Sequence, residues 1–277
     1  MQVSVELEAF FLPAEIGSRF TLFHRVRGSD ARGAILYVHP FAEEMNKSRR
    51  MAALQARAFA QAGFSVLQLD LYGCGDSSGD FGDARWEIWK RDLALASTWL
   101  MQSGEGPLHL WGLRLGANLA LECWGDMPDR YASAILWQPV INGQSFLNQF
   151  LRLAVAEDAL RANGHGRTTD TLRATLSAGQ SVEVAGYELA PELASAIASQ
   201  QLASWSLSGA TLHWLDIRAS ASDMPPMAQQ LLESWQRHGV AASYRPVSGE
   251  PFWTTQEIVE LPQLIAVTTA LYAAPAQ

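Results

Sequence analysis

Cysteine is scarce. Cys74 and Cys123 are the two in 277 residues, so a disulfide scaffold is excluded and both are expected as reduced thiols. Basic residues are outnumbered, 20 Lys plus Arg against 28 Asp plus Glu, for a formal charge of −8. That balance offers no cationic surface to a phosphate backbone, so nucleic acid is not an expected partner. Charged residues are only 17% of the chain and apolar ones 48%, the reverse of a disordered composition. No run of about 18 uncharged apolar residues occurs, and no membrane span is expected. The opening MQVSVELEAFFLP places acids where a signal peptide carries a basic region, so a cytoplasmic location is expected. The His residues show neither HExxH nor paired ligands at helical spacing, so neither a metal nor another cofactor is expected.

What the chain does have, from residue 34 onward, is an alternation of short Val/Ile/Leu-rich runs with helical-period segments. Ala34 to His39, Phe64 to Leu71, Leu108 to Trp111 and Ala134 to Trp137 read as strands. Met51 to Ala62, stopped by Gly63, Trp86 to Met101 and Gly116 to Trp124 read as the intervening helices. Such alternation predicts an α/β fold, a doubly wound and mostly parallel sheet. Near residue 143 the rhythm breaks. Gln144 to Ala162 is helical in pattern, Asn163 to Gly166 is a loop, Val182 to Gly186 is a short strand, and Pro191 to Gln201 is helical again. Residues 143–206 are therefore read as a cap inserted within one domain spanning 1–277. The alternation resumes with a strand at Thr211 to Ile217, a helix at Met227 to Arg237, a strand at Ala241 to Val247 and a last helix at Pro262 to Tyr272.

The strand ending at Trp111, the turn Gly112-Leu113-Arg114-Leu115-Gly116 and the helix that follows have the form of a nucleophile elbow. Before it come a strand followed by His39-Pro40-Phe41 and the turn Gly73-Cys74-Gly75-Asp76-Ser77-Ser78-Gly79. In this order the chain resembles the α/β-hydrolase superfamily over nearly its whole length, most specifically over about 33 to 143. The runs HPFAEEMNKSRR (39–50), WQPVINGQSFLNQFLRL (137–153) and GEPFW (249–253) resemble the exosortase A system-associated hydrolases of the "hydrolase 2" type. That resemblance implies an esterase-like or acyl-hydrolase ancestry and a context among bacterial exopolysaccharide and protein-sorting loci.

The chemistry departs from that pattern. The superfamily places a nucleophile, usually Ser, at the centre of the elbow, and here the residue is Arg114, which has five donors, no acceptor and a permanent charge. A Ser-His-Asp mechanism at this position is excluded. The triad His belongs after the last strand, and the loop Ser248 to Trp253 contains none. For the acid position Asp223 is the candidate and Asp216 the other option. Backbone amides survive a side-chain change, so Phe41 and Leu115 remain candidate oxyanion-hole donors. Arg114 beside those amides and a helix N-terminus would favour an anion. Alternatively it is a structural cation paired with Glu43, Glu44, Asp76 or Glu250, or it has an unusual catalytic role.

His39 or Asp76 is the candidate to activate a water directly, and His39 is the sole plausible activator of Cys74, which otherwise reads as a small buried thiol. The Gly73 to Gly79 run is a poor dinucleotide fingerprint, since no helix follows it. Trp86, Trp89, Trp137, Trp253 and Phe41 are candidates to line an apolar pocket, with Trp86 and Trp89 equally readable as a helix packing stripe. Two functions stay open: an ester or acyl hydrolase without a Ser-His-Asp triad, and a catalytically inactive homologue binding a small anionic or acyl ligand, or a partner protein. A homodimer is compatible with either.

Overall fold

The computed structural model describes residues 4–28, 31–104, 106–160, 166–205, 207–219 and 224–272. The chain opens with β1 (Ser4–Pro13) and β2 (Ser18–Arg27), an antiparallel pair that lies before the alternation visible in the sequence. Then follow β3 (Gly33–Val38), α1 (Glu43–Gln61), β4 (Phe64–Leu69), α2 (Trp86–Gln102), β5 (Leu108–Leu113), α3 (Leu115–Asp126) and β6 (Tyr131–Trp137). Helix α1 begins at Glu43, eight residues before the Met51 expected from the apolar pattern; its first two turns, EEMNKSRR, are too polar to carry a visible stripe. After β6 come α4 (Gly143–Leu160), α5 (Thr169–Ser177), the hairpin β7 (Val182–Val184) with β8 (Tyr187–Leu189), and α6 (Pro191–Ala198). The chain then rejoins the sheet through β9 (Thr211–Arg218), α7 (Pro226–Arg237), β10 (Ala241–Ser248) and α8 (Pro262–Ala270). The expected loop at Asn163 to Gly166 falls almost wholly outside the described residues.

Eight strands form one sheet in the order β1-β2-β4-β3-β5-β6-β9-β10. The β1/β2 and β2/β4 pairs are antiparallel, and every pair from β4 through β10 is parallel. Strands β3 and β5 are buried at every position, as strands covered on both faces must be, which is why they read as unbroken apolar runs. Their alternate side chains feed two cores. Leu36, Val38, Leu110 and Leu136 pack with Trp86, Trp89, Leu93, Leu119 and Trp124 on one face. Ile35, Tyr37, Trp111, Leu113 and Trp137 pack with Met51, Ala56, Phe59 and Leu264 on the other. No helix among the described residues is long and apolar enough to cross a membrane.

Helix α4 buries Phe146, Leu147, Phe150, Leu151 and Ala154, one face at helical spacing, and this face lands on Phe41 just after β3. The segment that delivers α4 is clamped by Asn118, whose amide donates to the Val140 carbonyl at 2.8 Å and accepts from its N–H at 3.0 Å. Helix α5 starts on a capping box, the Thr168 hydroxyl accepting from the Thr171 amide.

Candidate functional site

The site lies at the C-terminal ends of β3 and β5, where open α/β sheets leave a crevice. Two turns meet there. Gly112 and Gly116 let β5 fold sharply into α3: a Cβ on Gly116 would stand 2.3 Å from the His39 carbonyl oxygen, and one on Gly112 would stand 2.4 Å from Ala117 Cα. Between them Arg114 holds φ 55° and ψ −124°, a conformation that costs a side-chain-bearing residue on the order of 1–3 kcal/mol. Its amide donates to the Trp137 carbonyl at 2.9 Å, so the turn is tied to the end of β6. The backbone geometry of an elbow is present, and the side chain it projects is a guanidinium.

That guanidinium is held on three sides. Arg114 Nε donates to Glu44 Oε1 at 3.2 Å, and its Cζ lies 5.5 Å from the Phe146 ring centre and 5.4 Å from that of Trp253. The Arg114 side chain is 15% exposed and that of Glu44 9%, so the pair sits nearly out of water. Burial holds the Glu44 carboxyl above the usual carboxylate range, with Arg114 pulling it back down and Glu43 pushing it further up. Burial raises Glu43 in the same direction. A pocket of ≈ 170 Å³ opens beside the pair, walled by Phe41, Phe146, Phe150 and Leu153, with Glu43, Glu44 and Arg114 also on its lining.

The other sequence candidates divide around this arrangement. Phe41 lines the pocket around Arg114, Trp253 stacks on the guanidinium without lining that pocket, and Leu115, the first residue of α3, has no intrahelical acceptor for its N–H. Of the four acids expected at this face, Glu44 pairs with Arg114 and Glu43 lines the same pocket. Both belong to the first turn of α1, not to a loop. Asp76 and Glu250 are exposed and neither lines the pocket around Arg114. Asp223 lies outside the described residues. Asp216 is buried within β9, accepting from the Tyr244 hydroxyl and pairing with Arg218 Nε at 2.9 Å.

His39 is 6% exposed and both ring nitrogens are engaged, Nδ1 with the Pro40 carbonyl at 2.7 Å and Nε2 as acceptor from the Leu71 amide at 3.2 Å. Burial lowers its pKa and keeps it neutral. Cys74 is buried, and desolvation first, then the charges of Asp70 and Asp92, push its thiol far up. A thiolate nucleophile there is disfavoured. The glycine-rich run around it is a turn, in which Asp70 Oδ2 accepts from the Asp76 amide at 3.1 Å.

Trp86 and Trp89 are buried with Phe41 around a second cavity of only ≈ 10 Å³, room for about one water, lying next to Leu115 and Gly116. Trp137 faces the opposite core and donates to Thr268 Oγ1 at 3.0 Å. The sequence reading missed Phe146, Phe150 and Leu153; the i, i+4 spacing of the two Phe residues on an apolar helical face was the available signal.

Comparison with known proteins fits this geometry. The fold matches Est1E from Butyrivibrio proteoclasticus in its ferulic-acid-bound form, with a TM-score of 0.68 at 12% identity over 95% of this chain and 97% of that one. It also matches α/β hydrolase domain-containing protein 10 from mouse, with a TM-score of 0.58 at 14% identity over 95% and 98% of the two chains. At such identities the likeness is one of fold. In sequence, human Protein ABHD12B is 31% identical over 130 residues, 40% of this chain and 34% of that protein, so the match spans about a third of that relative's length. The sequence model described as serine aminopeptidase, S33 matches residues 29–199, which include both turns of the site, and this chain belongs to that family of α/β hydrolases.

Proposed function

We propose that this protein is a non-hydrolytic member of its family, a binding protein that holds a small acyl ligand over the former nucleophile elbow. The observation that carries the reading is Arg114: the elbow backbone is intact at φ 55°, yet its side chain is a cation ion-paired to buried Glu44 and stacked by Phe146 and Trp253. Hydrolysis through an acyl-enzyme needs an attacking atom and a base, and Arg114 supplies neither. Neither does its surrounding. The loop after β10 lacks a His, His39 spends both nitrogens within the fold, and burial keeps the Cys74 thiol protonated.

The segment 143–206 acts in this reading as a cap, with Phe146, Phe150 and Leu153 of α4 forming the roof over the pocket. The resemblance of residues 39–50, 137–153 and 249–253 to exosortase-associated hydrolases supports a role beside a polysaccharide or protein-sorting system.

The test is steady-state turnover of a p-nitrophenyl ester and acyl-thioester panel of increasing chain length, with Arg114→Ala purified in parallel. The expected result is no turnover above the variant's background. Turnover that Arg114→Ala removes would overturn the reading in favour of a hydrolase that dispenses with the triad.

A further inference from the structure

We infer that the pocket beside Arg114 selects a neutral primary carboxamide head carried on an apolar body; the inference rests on the binding reading above and names its ligand class. The floor of the pocket combines donors and acceptors at one place. Arg114 commits Nε to Glu44, and its Nη groups make no hydrogen bond among the described residues. Glu43 and Glu44 line the same pocket, Glu44 is 7% exposed, and each has an Oε2 buried without a hydrogen-bond partner. Buried acceptors without a protein partner, next to unspent donors, are matched by a group that supplies both functions.

Charge decides which group. The pocket holds two carboxylates to one guanidinium, so a ligand carboxylate set against Arg114 would also face Glu43 and Glu44. An alkylammonium set against the carboxylates would face Arg114. A primary carboxamide adds no charge, turns its C=O to the guanidinium and its NH₂ to a carboxylate, and leaves the Arg114–Glu44 pair intact. Its apolar body then lies on Phe41, Phe146, Phe150 and Leu153, within the ≈ 170 Å³ available.

The test is a ligand-observed NMR titration of the full-length protein with four six- or seven-carbon probes: hexanamide, hexanoate, hexylammonium and 2-heptanone, which has the carbonyl without the N–H. Hexanamide is expected to bind at least tenfold more tightly than each of the others. Leu153, 39% exposed on the pocket wall, gives a variant that fills the pocket without touching the core: Leu153→Trp is expected to abolish hexanamide binding while leaving the thermal midpoint within a few degrees. Equal or tighter binding of any competitor overturns the carboxamide assignment and leaves the pocket as a binding site. No binding by any probe overturns both. Hexanamide binding that survives Leu153→Trp places the ligand elsewhere and overturns the assignment.

Discussion

Ala42 and Arg114 share one backbone conformation, φ 49°, ψ −125° and φ 55°, ψ −124°, and each is the residue from which a helix starts at the site. Neither is glycine, so both turns are held against local preference by their surroundings. At Ala42 the hold is the return of the Glu44 and Met45 amides to the Phe41 and Ala42 carbonyls, both at 3.1 Å. At Arg114 it is the hydrogen bond to Trp137 together with the ion pair to Glu44.

Removing the Arg114 cation should therefore have two separable consequences. Arg114→Ala leaves Glu44 buried without its counter-charge, an expected loss of about 3 kcal/mol. Arg114→Gly loses the same pairing and regains about 1 kcal/mol by relieving the positive φ. Adding Glu44→Gln to Arg114→Ala should recover part of the loss, because the uncompensated charge is then gone. Urea unfolding of the set checks the order; an Arg114→Gly no more stable than Arg114→Ala would refute the strain.

Histidine burial is expected to lower stability as the pH falls. His109 is 8% exposed in β5 with Nδ1 2.8 Å from the Ser133 hydroxyl, and burial, assisted by His213 and Arg32, pushes its pKa down to about 4. His24, His39 and His213 are lowered as well, chiefly by burial. As pH falls the unfolded chain takes up these protons first, so their stabilisation is complete above about 6.5 and drains away toward the folded values. For His109 alone the loss is about 3 kcal/mol across that window. Glu43, Glu44 and Asp92 are raised by burial, so their contributions run oppositely and grow as pH falls. Comparing His109→Asn with its parent cancels them. The variant's urea midpoint should fall less steeply between pH 7 and 4.5, and parallel slopes would rule out the assignment.

The parallel sheet and its order of helices were legible because β3 through β6 are buried on both faces and must be written in apolar residues. Strands β1 and β2 carried a weaker signal: β1 is largely exposed, and its Glu6 and Glu8 pair diagonally with Arg27 and Arg25 of β2. At the site, the elbow was visible from its two glycines, and Glu44 could be named only as one acid among four. The choice among them depends on the start of α1, which places Glu44 one helical residue inside the turn at Ala42. The roof residues Phe146 and Phe150 looked like any buried helix face, since their partner Phe41 lies about a hundred residues earlier in the chain.

Gly116 is expected to resist replacement as strongly as Arg114 at the elbow's tip, for a steric reason and not an electrostatic one. A Cβ there would lie 2.3 Å from the His39 carbonyl oxygen and 2.4 Å from that of Val38, both fixed backbone. Gly116→Ala should cost about 3 kcal/mol or more, because α3 would have to move off β3. Differential scanning calorimetry decides it, and a midpoint within a degree of the parent would show that the turn is looser than these distances require. The two residues hold the turn differently: Gly116 by leaving room for the backbone of β3, and Arg114 through its hydrogen bond to Trp137 and its ion pair to Glu44.

Reinstalling a nucleophile should accordingly fail. Arg114→Ser with Pro251→His restores the two missing residue types at the expected turn and loop, Pro251 being exposed and free to accept a larger side chain. The space beside Phe41 and Leu115, however, is the ≈ 10 Å³ cavity enclosed by Phe41, Trp86 and Trp89, and Trp89 is locked there by its indole N–H donating to the Tyr72 carbonyl at 2.9 Å. An acyl chain has nowhere to lie on that side. We expect no esterase activity from the double variant on short-chain p-nitrophenyl esters, and measurable turnover only when Trp86→Ala is added to open the cavity. Activity in the double variant alone would mean that the substrate enters from the Arg114 pocket instead, and that the family's chemistry was lost through two residues and nothing else.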